Sequence, residues 1–318
     1  MNKGKLFLAA LAAVGGALAL GPRVRVKEEL SMPVLPSDLD AYLAGAESQH
    51  PHIIPETEKK IIWAAEVGAQ TPLSVVYLHG FTATRQETAP LSDIVAKELG
   101  ANLFYTRLAG HGLPGKELGK ARVEHWLCDT MEALAIGERL GERVVVIGMS
   151  TGGTLAAWAA CRNVLGDKLA GIVLLSPNFG PANRLADILL FPWGSHIADT
   201  IMGIEQQWKP YNDRHGQYWT SRFPTRALLP MMALVRHVRN MPLENITAPV
   251  LMGYSREDTV VDVEKSLGTV MRFGSKLKKL LDLGDINDRN DHVLAGDILA
   301  PHKTEALAAR IVSFAGSV

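Results

Sequence analysis

The chain has few cysteines and no excess of charge of either sign. Its 318 residues include two cysteines, and 33 Lys plus Arg balance 33 Asp plus Glu. Two cysteines cannot build a disulfide framework, and a chain without net positive charge lacks the basic surface on which nucleic-acid binding depends. We therefore exclude a small disulfide-stabilised fold and predict no nucleic-acid partner. The hydrophobic fraction of 47% is typical of a globular protein with a sizeable core.

Metal-ligand spacing is also absent from the sequence. Cys128 and Cys161 are far apart, and no group of His, Cys, Asp or Glu residues has the spacing of a metal site. We predict no metal ion. Both cysteines fall in segments with helical patterns, which favours two buried free thiols over a disulfide.

The N-terminal segment is uncharged over residues 6–22 and rich in Ala and Leu. Ala17-Leu18-Ala19 has the small-residue pattern of a signal-peptide cleavage site, and the run is also long enough for a marginal membrane anchor. Basic residues flank the run on both sides and leave its orientation open. We predict that residues 1–22 export the protein, to the periplasm or the medium, or anchor it to a membrane, and that membrane association runs through residues 6–22.

The rest of the sequence divides into an N-terminal extension, residues 23–59, and a larger domain, residues 60–318. The extension is rich in proline and has one short helical pattern at 38–47, for which Ser37 is the predicted cap. From residue 60 onward, apolar runs alternate with helical patterns. This alternation predicts an α/β fold in which helices cover both faces of a mostly parallel sheet. The predicted strands are residues 60–64, 75–78, 102–106, 144–147, 170–175, 249–253 and 279–283; the clearest helices are residues 91–99, a stretch with Val123, Trp126, Leu127, Met131 and Leu134 on one face, and a last helix with Leu307, Ile311 and Phe314 on one face.

One short motif indicates chemistry. Gly148-Met149-Ser150-Thr151-Gly152 follows the apolar run 144–147 and opens an Ala-rich helical pattern. This order of strand, turn and helix is the context in which G-x-S-x-G forms a nucleophile elbow. A serine on so sharp a turn has a strained backbone, and its neighbours must be nearly free of side chains, which explains the glycines. Ser150 is the predicted nucleophile of a serine hydrolase.

An acid and a base are expected later in the chain, each in a loop at the carboxyl end of a strand. Asp258 follows the strand 249–253, and His292 follows the last strand. We predict that His292 takes the proton of Ser150 and that Asp258 orients the imidazole ring. The competing residues are Glu257 and Asp291 for the acid, and His302, which falls at a helix start, for the base.

The negative charge of an acyl-transfer intermediate needs backbone N–H donors. The first donor is predicted at Thr151, the residue after the nucleophile. The second is predicted at Phe81, in the segment His79-Gly80-Phe81-Thr82 that follows the strand 75–78. The alternative interpretation is that His-Gly marks only a turn at this point.

A G-x-G-x-x-G match at Gly110–Gly115 follows a strand, as in dinucleotide-binding proteins. That fingerprint needs a helix that begins inside the motif, so that the pyrophosphate meets the helix N-terminus. Pro114, Gly115 and Gly119 predict an irregular backbone until about Val123 instead. We therefore predict no nucleotide cofactor.

The alternation of strands and helices stops between residues 176 and 245. This insertion contains three of the six tryptophans, Trp193, Trp208 and Trp219. It is too long for a simple loop, so we expect helices of its own. We predict a lid whose apolar side chains surround an acyl chain; the alternative is that the aromatic residues form only the core of the insertion.

Taken together, these segments resemble the α/β-hydrolase superfamily, and within it the chain is similar to the bacterial carboxylesterase and monoacylglycerol-lipase branch. The resemblance spans residues 60–318. It implies a central sheet of about eight strands, a lid at 176–245, no cofactor, and hydrolysis through an acyl-enzyme. Met149 and Thr151 depart from the branch, which often has His and Met or Gln there. The segments that carry the resemblance are Leu78-His79-Gly80-Phe81, Arg107-Leu108-Ala109-Gly110-His111-Gly112, the elbow at Ser150, Asp258, and Asp291-His292-Val293-Leu294.

The expected activity is hydrolysis of carboxylic esters that have an apolar acyl part, either short-to-medium chains or monoacylglycerol-like substrates. Thioesterases, amidases and aminopeptidases use the same triad with other leaving groups and stay open as alternatives. From a different class of protein, a non-catalytic member would only bind an apolar ligand, but a binding protein has no need of an ordered Ser150, Asp258 and His292. Oligomeric state stays open.

Overall fold

The computed structural model describes residues 15–16, 20–28, 30–286 and 289–318. Most of the apolar run 6–22 lies outside these residues, so its role in export or anchoring stays a prediction. None of the helices that the described residues form has the length and apolar character needed to cross a bilayer.

The strands that the described residues form are β1 Lys60–Ile62, β2 Thr71–Leu78, β3 Asn102–Tyr105, β4 Gly141–Met149, β5 Leu169–Leu175, β6 Glu205–Gln207, β7 Arg222–Pro224, β8 Val250–Tyr254 and β9 Lys278–Asp282. Seven of them form one sheet in the order β1-β3-β2-β4-β5-β8-β9, in which every neighbouring pair is parallel except β1 and β3. The short strands β6 and β7 form a separate antiparallel pair. This confirms the predicted mostly parallel α/β sheet, with seven strands in the described residues against the expected number of about eight.

Helices cover both faces of the sheet, because the central strands are apolar on both sides. In β4, Val144 and Val146 contribute to the core on one face, and Val145 and Ile147 to the core on the other. The helices of the described residues are α1 Leu39–Ser48, α2 Leu91–Leu99, α3 Gly115–Leu118, α4 Val123–Leu140, α5 Thr151–Cys161, α6 Gly194–Met202, α7 Asp213–Tyr218, α8 Leu228–Arg239, α9 Val263–Met271 and α10 Pro301–Ala315. The first core is completed by α4, α5 and α8, and the second by α2 and α10.

Three local predictions were wrong. The cap of α1 is Asp38, whose carboxylate accepts a hydrogen bond from the Ala41 amide at 2.9 Å, and not Ser37. Both cysteines are free, but only Cys161 is buried, because Cys128 lies on the solvent-facing side of α4. The backbone after Pro114 is not irregular throughout, since α3 forms one helical turn there.

The insertion between β5 and β8 forms helices of its own, as predicted, together with the antiparallel pair of β6 and β7. Its last helix, α8, is not a detached cover. Met232, Leu234 and Val238 of α8 are at most 1% exposed and pack into the core beside α5. The end of the insertion, from Leu228 onward, is therefore part of the main core.

Candidate active site

The predicted elbow lies where β4 meets α5. Ser150 has φ 52° and ψ −113°, a backbone conformation that non-glycine residues rarely adopt and that costs about 1–3 kcal/mol. Its amide donates a hydrogen bond to the Leu175 carbonyl at 2.8 Å, which ties the turn to the neighbouring strand β5. The fold thus holds the Ser150 side chain at the carboxyl edge of the sheet.

The glycines around Ser150 are required by close packing. A Cβ placed on Gly152 would lie 1.9 Å from the Leu78 carbonyl oxygen, and one on Gly148 would lie 2.5 Å from the Gly152 oxygen. Real Cβ atoms do not approach backbone so closely. Glycine is therefore needed so that α5 can begin directly against β2 and β4.

Asp258 and His292 form a hydrogen-bonded pair. His292 Nδ1 donates to Asp258 Oδ2 at 2.7 Å, and the other oxygen, Oδ1, accepts from the amides of Val260 at 2.8 Å and Val261 at 3.0 Å. Asp258 follows β8 and His292 follows β9, so the parallel strands bring the two loops together at one edge of the sheet. The backbone fixes the carboxylate, and the carboxylate fixes the imidazole ring.

The competing residues have other surroundings. Glu257 is exposed, and His302 is exposed at the start of α10. Asp291 Oδ1 accepts a hydrogen bond from the Ile286 amide at 2.6 Å, which shapes the loop that carries His292. Among the candidate acids, Asp258 alone is hydrogen-bonded to His292 in the described residues.

Ser150 and His292 line the same open cavity, of about 510 Å³. Their residues are 8% and 9% exposed, so both sit at the bottom of the cavity and still meet solvent. Within the described residues, the Ser150 hydroxyl makes no hydrogen bond to His292. Such catalytic hydrogen bonds are often long without substrate and shorten when it binds.

The two predicted oxyanion donors lie on either side of Ser150. Thr151 is the first residue of α5, and the amide of a first helical residue has no acceptor within its helix. No described residue accepts a hydrogen bond from the Phe81 amide, whereas the neighbouring Gly80 amide donates to Glu87 Oε1 at 2.6 Å. Both predicted donors are therefore available to an oxyanion.

His79 supports the Phe81 loop. Its Nδ1 donates to the Gly80 carbonyl at 2.9 Å, and its Nε2 accepts from the Leu108 amide at 3.0 Å. Burial lowers the pKa of His79 to about 4, so the ring stays neutral. The Phe81 ring packs edge-on against His111 and Phe223, at centroid distances of 5.9 and 5.6 Å.

The Gly110–Gly115 segment is part of the same support. The Ala109 amide before it donates to Asp129 Oδ2 at 2.7 Å, and a Cβ on Gly112 would lie 2.5 Å from the Thr57 hydroxyl oxygen. The segment is thus packed against protein. In the described part of the chain, no three His, Cys, Asp or Glu side chains come together in a group that could hold a metal ion.

The aromatic residues of the insertion divide into three groups. Trp208, Tyr211 and Trp219 line the cavity, together with Met231 and His215. A second group packs in the core, and a third is exposed, with Phe191 at 60% and Trp193 at 37%. Some side chains of the insertion therefore line the cavity while others pack in the core, and the predicted lid stays a prediction. The second group consists of Tyr218, Phe223 and Met232.

His215 belongs to the aromatic wall. Its ring centroid lies 4.5 Å from that of Trp219, 4.7 Å from Trp208 and 4.9 Å from Tyr211. Its Nδ1 accepts a hydrogen bond from the Tyr211 amide at 3.2 Å. Burial lowers the pKa of His215 to about 4, so it contributes a neutral ring to this side of the cavity.

Glu87 is one of several cavity-lining residues that were not predicted from the sequence; Asn178, Lys209 and His215 are others. Glu87 is 2% exposed and lines the cavity close to Ser150. In the sequence it stands in the polar stretch Thr84-Arg85-Gln86-Glu87 and has no feature that distinguishes it from a surface carboxylate. Only the packing of the chain shows that it is buried.

Comparisons with known proteins identify the family of the chain. A family model described as serine aminopeptidase, S33, matches residues 70–283. A thermostable monoacylglycerol lipase of Bacillus sp. (strain H-257) is 27% identical over 194 residues, which are 60% of this chain and 72% of the lipase.

Solved structures of the same fold are also similar. A metagenome-derived lipolytic enzyme superimposes with a TM-score of 0.68 at 21% identity, over 84% of this chain and all of that one. A monoacylglycerol lipase of Paleococcus ferrophilus gives a TM-score of 0.59 at 19% identity, over 82% of this chain and 99% of that one. These neighbours establish the α/β-hydrolase fold.

Proposed function

The chain belongs to the serine aminopeptidase S33 family of α/β-hydrolases, and from this premise we propose that it hydrolyses carboxylic esters through a covalent acyl-enzyme. One observation carries the proposal. Ser150, on a strained elbow, lines the same cavity as a histidine that is already hydrogen-bonded to Asp258. A nucleophile, a base and a group that orients the base are what covalent acyl transfer requires.

The proposed reaction has two steps. Ser150 Oγ attacks the ester carbonyl while His292 takes its proton; Nε2 is the nitrogen free to do so, because Nδ1 is engaged with Asp258. The amides of Phe81 and Thr151 stabilise the oxyanion, and the alcohol leaves with the proton from His292. Water, deprotonated by the same ring, then releases the acid and restores Ser150.

The proposed substrate has an apolar acyl part. Most of the surface of the cavity, which has a volume of about 510 Å³, is apolar, although polar side chains such as Asn178, Lys209 and Asn290 also line it. Such a cavity suits a small apolar ligand held by a few hydrogen bonds. The similar proteins named as monoacylglycerol lipases support short-to-medium acyl or monoacylglycerol-like esters.

We propose that the insertion acts as a lid over this cavity. Trp208, Tyr211 and Trp219 come from it and form one wall. The Tyr211 hydroxyl accepts a hydrogen bond from Asn290 Nδ2 at 2.5 Å, which joins the insertion to the loop of His292. Closure of the lid would exclude water and hold the acyl group near Ser150.

Aminopeptidase activity is the second candidate, because the family model carries that description. An aminopeptidase has to bind the α-ammonium group of its substrate, which calls for an ionised carboxylate in the cavity. Glu87 is the only carboxylate among the described residues that line the cavity, and burial raises its pKa to about 8. A neutral Glu87 favours an ester substrate over a charged peptide N-terminus; a thioester stays compatible.

Covalent labelling with a fluorophosphonate probe tests the nucleophile. We expect the wild-type protein to be labelled and Ser150→Ala to be unlabelled. Ser195→Ala is the matched control, because Ser195 Oγ also lies beside a histidine nitrogen, His196 Nδ1, at 3.2 Å. If the folded wild-type protein is not labelled, the alternative of a non-catalytic binding protein is favoured.

Substrate class is tested with matched butyryl compounds. An oxygen ester, a thioester and an anilide of the same acid differ only in the leaving group, so their kcat/KM values rank the alternatives. We expect the ester to be fastest, and leucine anilide to be a poor substrate. Fast cleavage of leucine anilide would favour an aminopeptidase.

We also propose that residues 1–22 export or anchor the protein. The proposal rests on the apolar run 6–22 and the Ala17-Leu18-Ala19 site. Cell fractionation and N-terminal sequencing of the mature protein test it. A new N-terminus just after the site indicates export with cleavage, an intact N-terminus in the membrane fraction indicates anchoring, and an intact soluble protein contradicts both.

A further inference from the structure

Glu87 is a buried carboxyl group that the proposed reaction does not use. It lies in a 3₁₀ turn, Arg85–Glu87, and is 2% exposed. Its Oε1 accepts two hydrogen bonds, from the Gly80 amide at 2.6 Å and from the Tyr77 hydroxyl at 2.9 Å. No Arg, Lys or His of the described residues forms an ion pair with it. Burying a carboxyl group without an ion pair costs free energy, which indicates that Glu87 has a function at this position.

Glu87 and Ser150 lie on the same side of Gly80. A Cβ placed on Gly80 would be 2.9 Å from Glu87 Oε2 and 3.2 Å from the Ser150 Cβ. Any side chain at residue 80 would therefore fill the space between the carboxyl group and the serine. Glu87 stands next to the loop whose following residue, Phe81, carries a proposed oxyanion donor.

Burial and position indicate which protonation state of Glu87 is compatible with catalysis. Oε1 accepts both hydrogen bonds, which a carboxylate and a carboxylic acid can do alike, and Oε2 is the oxygen that carries the proton of the neutral acid. An ionised carboxylate here would place a second negative charge beside the oxyanion that forms at Ser150 and would oppose it. A neutral acid holds the Gly80 amide without that cost.

Charged and titratable groups around Glu87 do not reverse this conclusion. Tyr77 on β2 donates to it, and Tyr105 on β3, at a ring distance of 5.7 Å from Tyr77, is hydrogen-bonded to Asp93. Burial is the main cause that raises the pKa of Glu87 to about 8, while the bonds from Gly80 and Tyr77 lower it. The other titratable groups that line the cavity are Lys209, Tyr211, His215 and His292.

We propose that Glu87 is a positioning residue: as a neutral acid it fixes the backbone at Gly80, directly before the Phe81 oxyanion donor, and its ionisation switches the activity off. The Gly80 amide is engaged with Glu87, whereas no described residue accepts a hydrogen bond from the Phe81 amide, which is therefore the donor available to the oxyanion. The proposal rests on the proposed ester hydrolysis. It predicts an alkaline limit on activity that belongs to Glu87 and not to His292, whose deprotonation favours its action as a base.

The test compares pH profiles of kcat/KM for the wild type and Glu87→Gln. Glutamine reproduces the neutral acid, with an acceptor oxygen for Gly80 and Tyr77 and an N–H₂ in place of the Oε2 proton. We expect the wild type to lose activity with a midpoint near pH 8. Glu87→Gln should keep at least half of the wild-type activity at pH 7 and should not lose activity near pH 8. Glu98→Gln, on the exposed side of α2, should keep the wild-type profile.

Glu87→Leu tests positioning separately. Without an acceptor for the Gly80 amide, the loop loses its anchor, and we expect kcat to fall at least tenfold with KM changed less than twofold. A Glu87→Gln profile with the wild-type alkaline limb overturns the proposal, as does a folded Glu87→Leu variant with wild-type kcat.

Infrared difference spectra of wild type minus Glu87→Gln give a readout that does not depend on activity. A protonated-carboxyl band at pH 7 that disappears at higher pH supports the proposal, and its absence at pH 7 overturns it. If no ester is hydrolysed by the wild type, the proposed function fails, while the spectra still report the state of Glu87. The two failures are therefore distinguishable.

Discussion

At the scale of single residues, the site depends on side chains that hydrogen bonds hold in one orientation. Asp258 is the clearest example, because both of its oxygens are occupied, one by His292 and one by the amides of Val260 and Val261. Two backbone donors hold this carboxylate against rotation. The orientation of His292 is therefore set by the loop that follows β8, and not by the substrate.

Asp258→Asn is expected to lower kcat/KM by about 10³–10⁴ without unfolding the protein. The amide keeps the bonds to the backbone through its oxygen, but its N–H₂ faces His292 Nδ1 and favours the tautomer that leaves Nε2 protonated and unable to act as a base. Esterase assays together with a thermal melt separate this from a loss of structure. Glu257→Gln, one residue away and exposed, should keep full activity, and equal losses in the two variants would contradict the role of Asp258.

At the scale of elements, the first turn of α5 lies in direct contact with the backbone of β2 and β4, and no side chain fits between them. Gly152→Ala would place a Cβ 1.9 Å from the Leu78 oxygen. We expect a loss of more than 2 kcal/mol in the free energy of unfolding, or a displaced elbow with loss of fluorophosphonate labelling, since backbone on both sides cannot yield.

Gly268→Ala is the matched control for Gly152→Ala. Gly268 lies exposed in α9, and a Cβ there would meet no atom within 4 Å. Alanine in an exposed helix interior stabilises by about 0.5–1 kcal/mol relative to glycine. Denaturant unfolding of both variants measures the change in the free energy of unfolding. We expect a decrease for Gly152→Ala and an increase for Gly268→Ala. Two decreases of similar size would contradict the packing argument.

The extension before the sheet is held to it by a nearly buried ion pair. Glu47, at the end of α1, accepts two hydrogen bonds from Arg107, each of 2.8 Å. Burial alone would raise the pKa of Glu47, but the bonds and charge of Arg107 outweigh it and lower the pKa overall. Arg107 begins the segment that positions His79, so α1 contributes to the support of the site.

Glu47→Gln should destabilise the protein by about 2 kcal/mol at pH 7, less than the 3–5 kcal/mol of a fully buried pair, because Glu47 keeps some contact with water. A lowered pKa means that the stabilisation is complete above about pH 4.5 and is lost as the pH falls through the folded-state value. The difference in unfolding free energy between wild type and Glu47→Gln should therefore become smaller below pH 4.5. Urea unfolding at pH 7 and at pH 3.5 measures this difference. A difference that does not change with pH would show that the charge of Glu47 is not its cause.

The elements that could be predicted from the sequence are those whose pattern is local. The run 144–147 predicted a strand because it is apolar on both faces, and the elbow followed from glycines next to Ser150. The burial of Glu87 could not be predicted, since it results from Tyr77 and Gly80 folding over a polar turn. Cys128 was placed wrongly for a similar reason: a helical pattern predicts a helix more reliably than which positions at the margin of its face are covered.

At the scale of the whole molecule, the sheet and the insertion contribute different parts of the site. The sheet loops carry Ser150, Asp258 and His292, while the insertion contributes the aromatic wall. Two residues of this wall pack against the core, Trp219 within the second core and Trp208 against both cores. We therefore expect the insertion to control which acyl group fits, and the sheet to control the rate of the chemical step.

Trp208→Ala tests this division. Trp208 lines the cavity and lies 4.7 Å from the His215 ring, so its removal should enlarge the space for the acyl chain. Because one methylene in an apolar pocket is worth about 1–3 kcal/mol, we expect the preference between long and short p-nitrophenyl esters to shift about tenfold towards long chains. Acylation of the shortest ester should change little, since the triad is carried by other elements.

The control for Trp208→Ala is Phe191→Ala, a change of similar size in the same insertion at a residue that is 60% exposed and outside the cavity wall. It should leave the chain-length profile unaltered. If both variants shift the profile equally, the insertion acts through its overall stability and not through the shape of its wall. If neither shifts it, chain length is set by the sheet loops, and the proposed lid does not select the substrate.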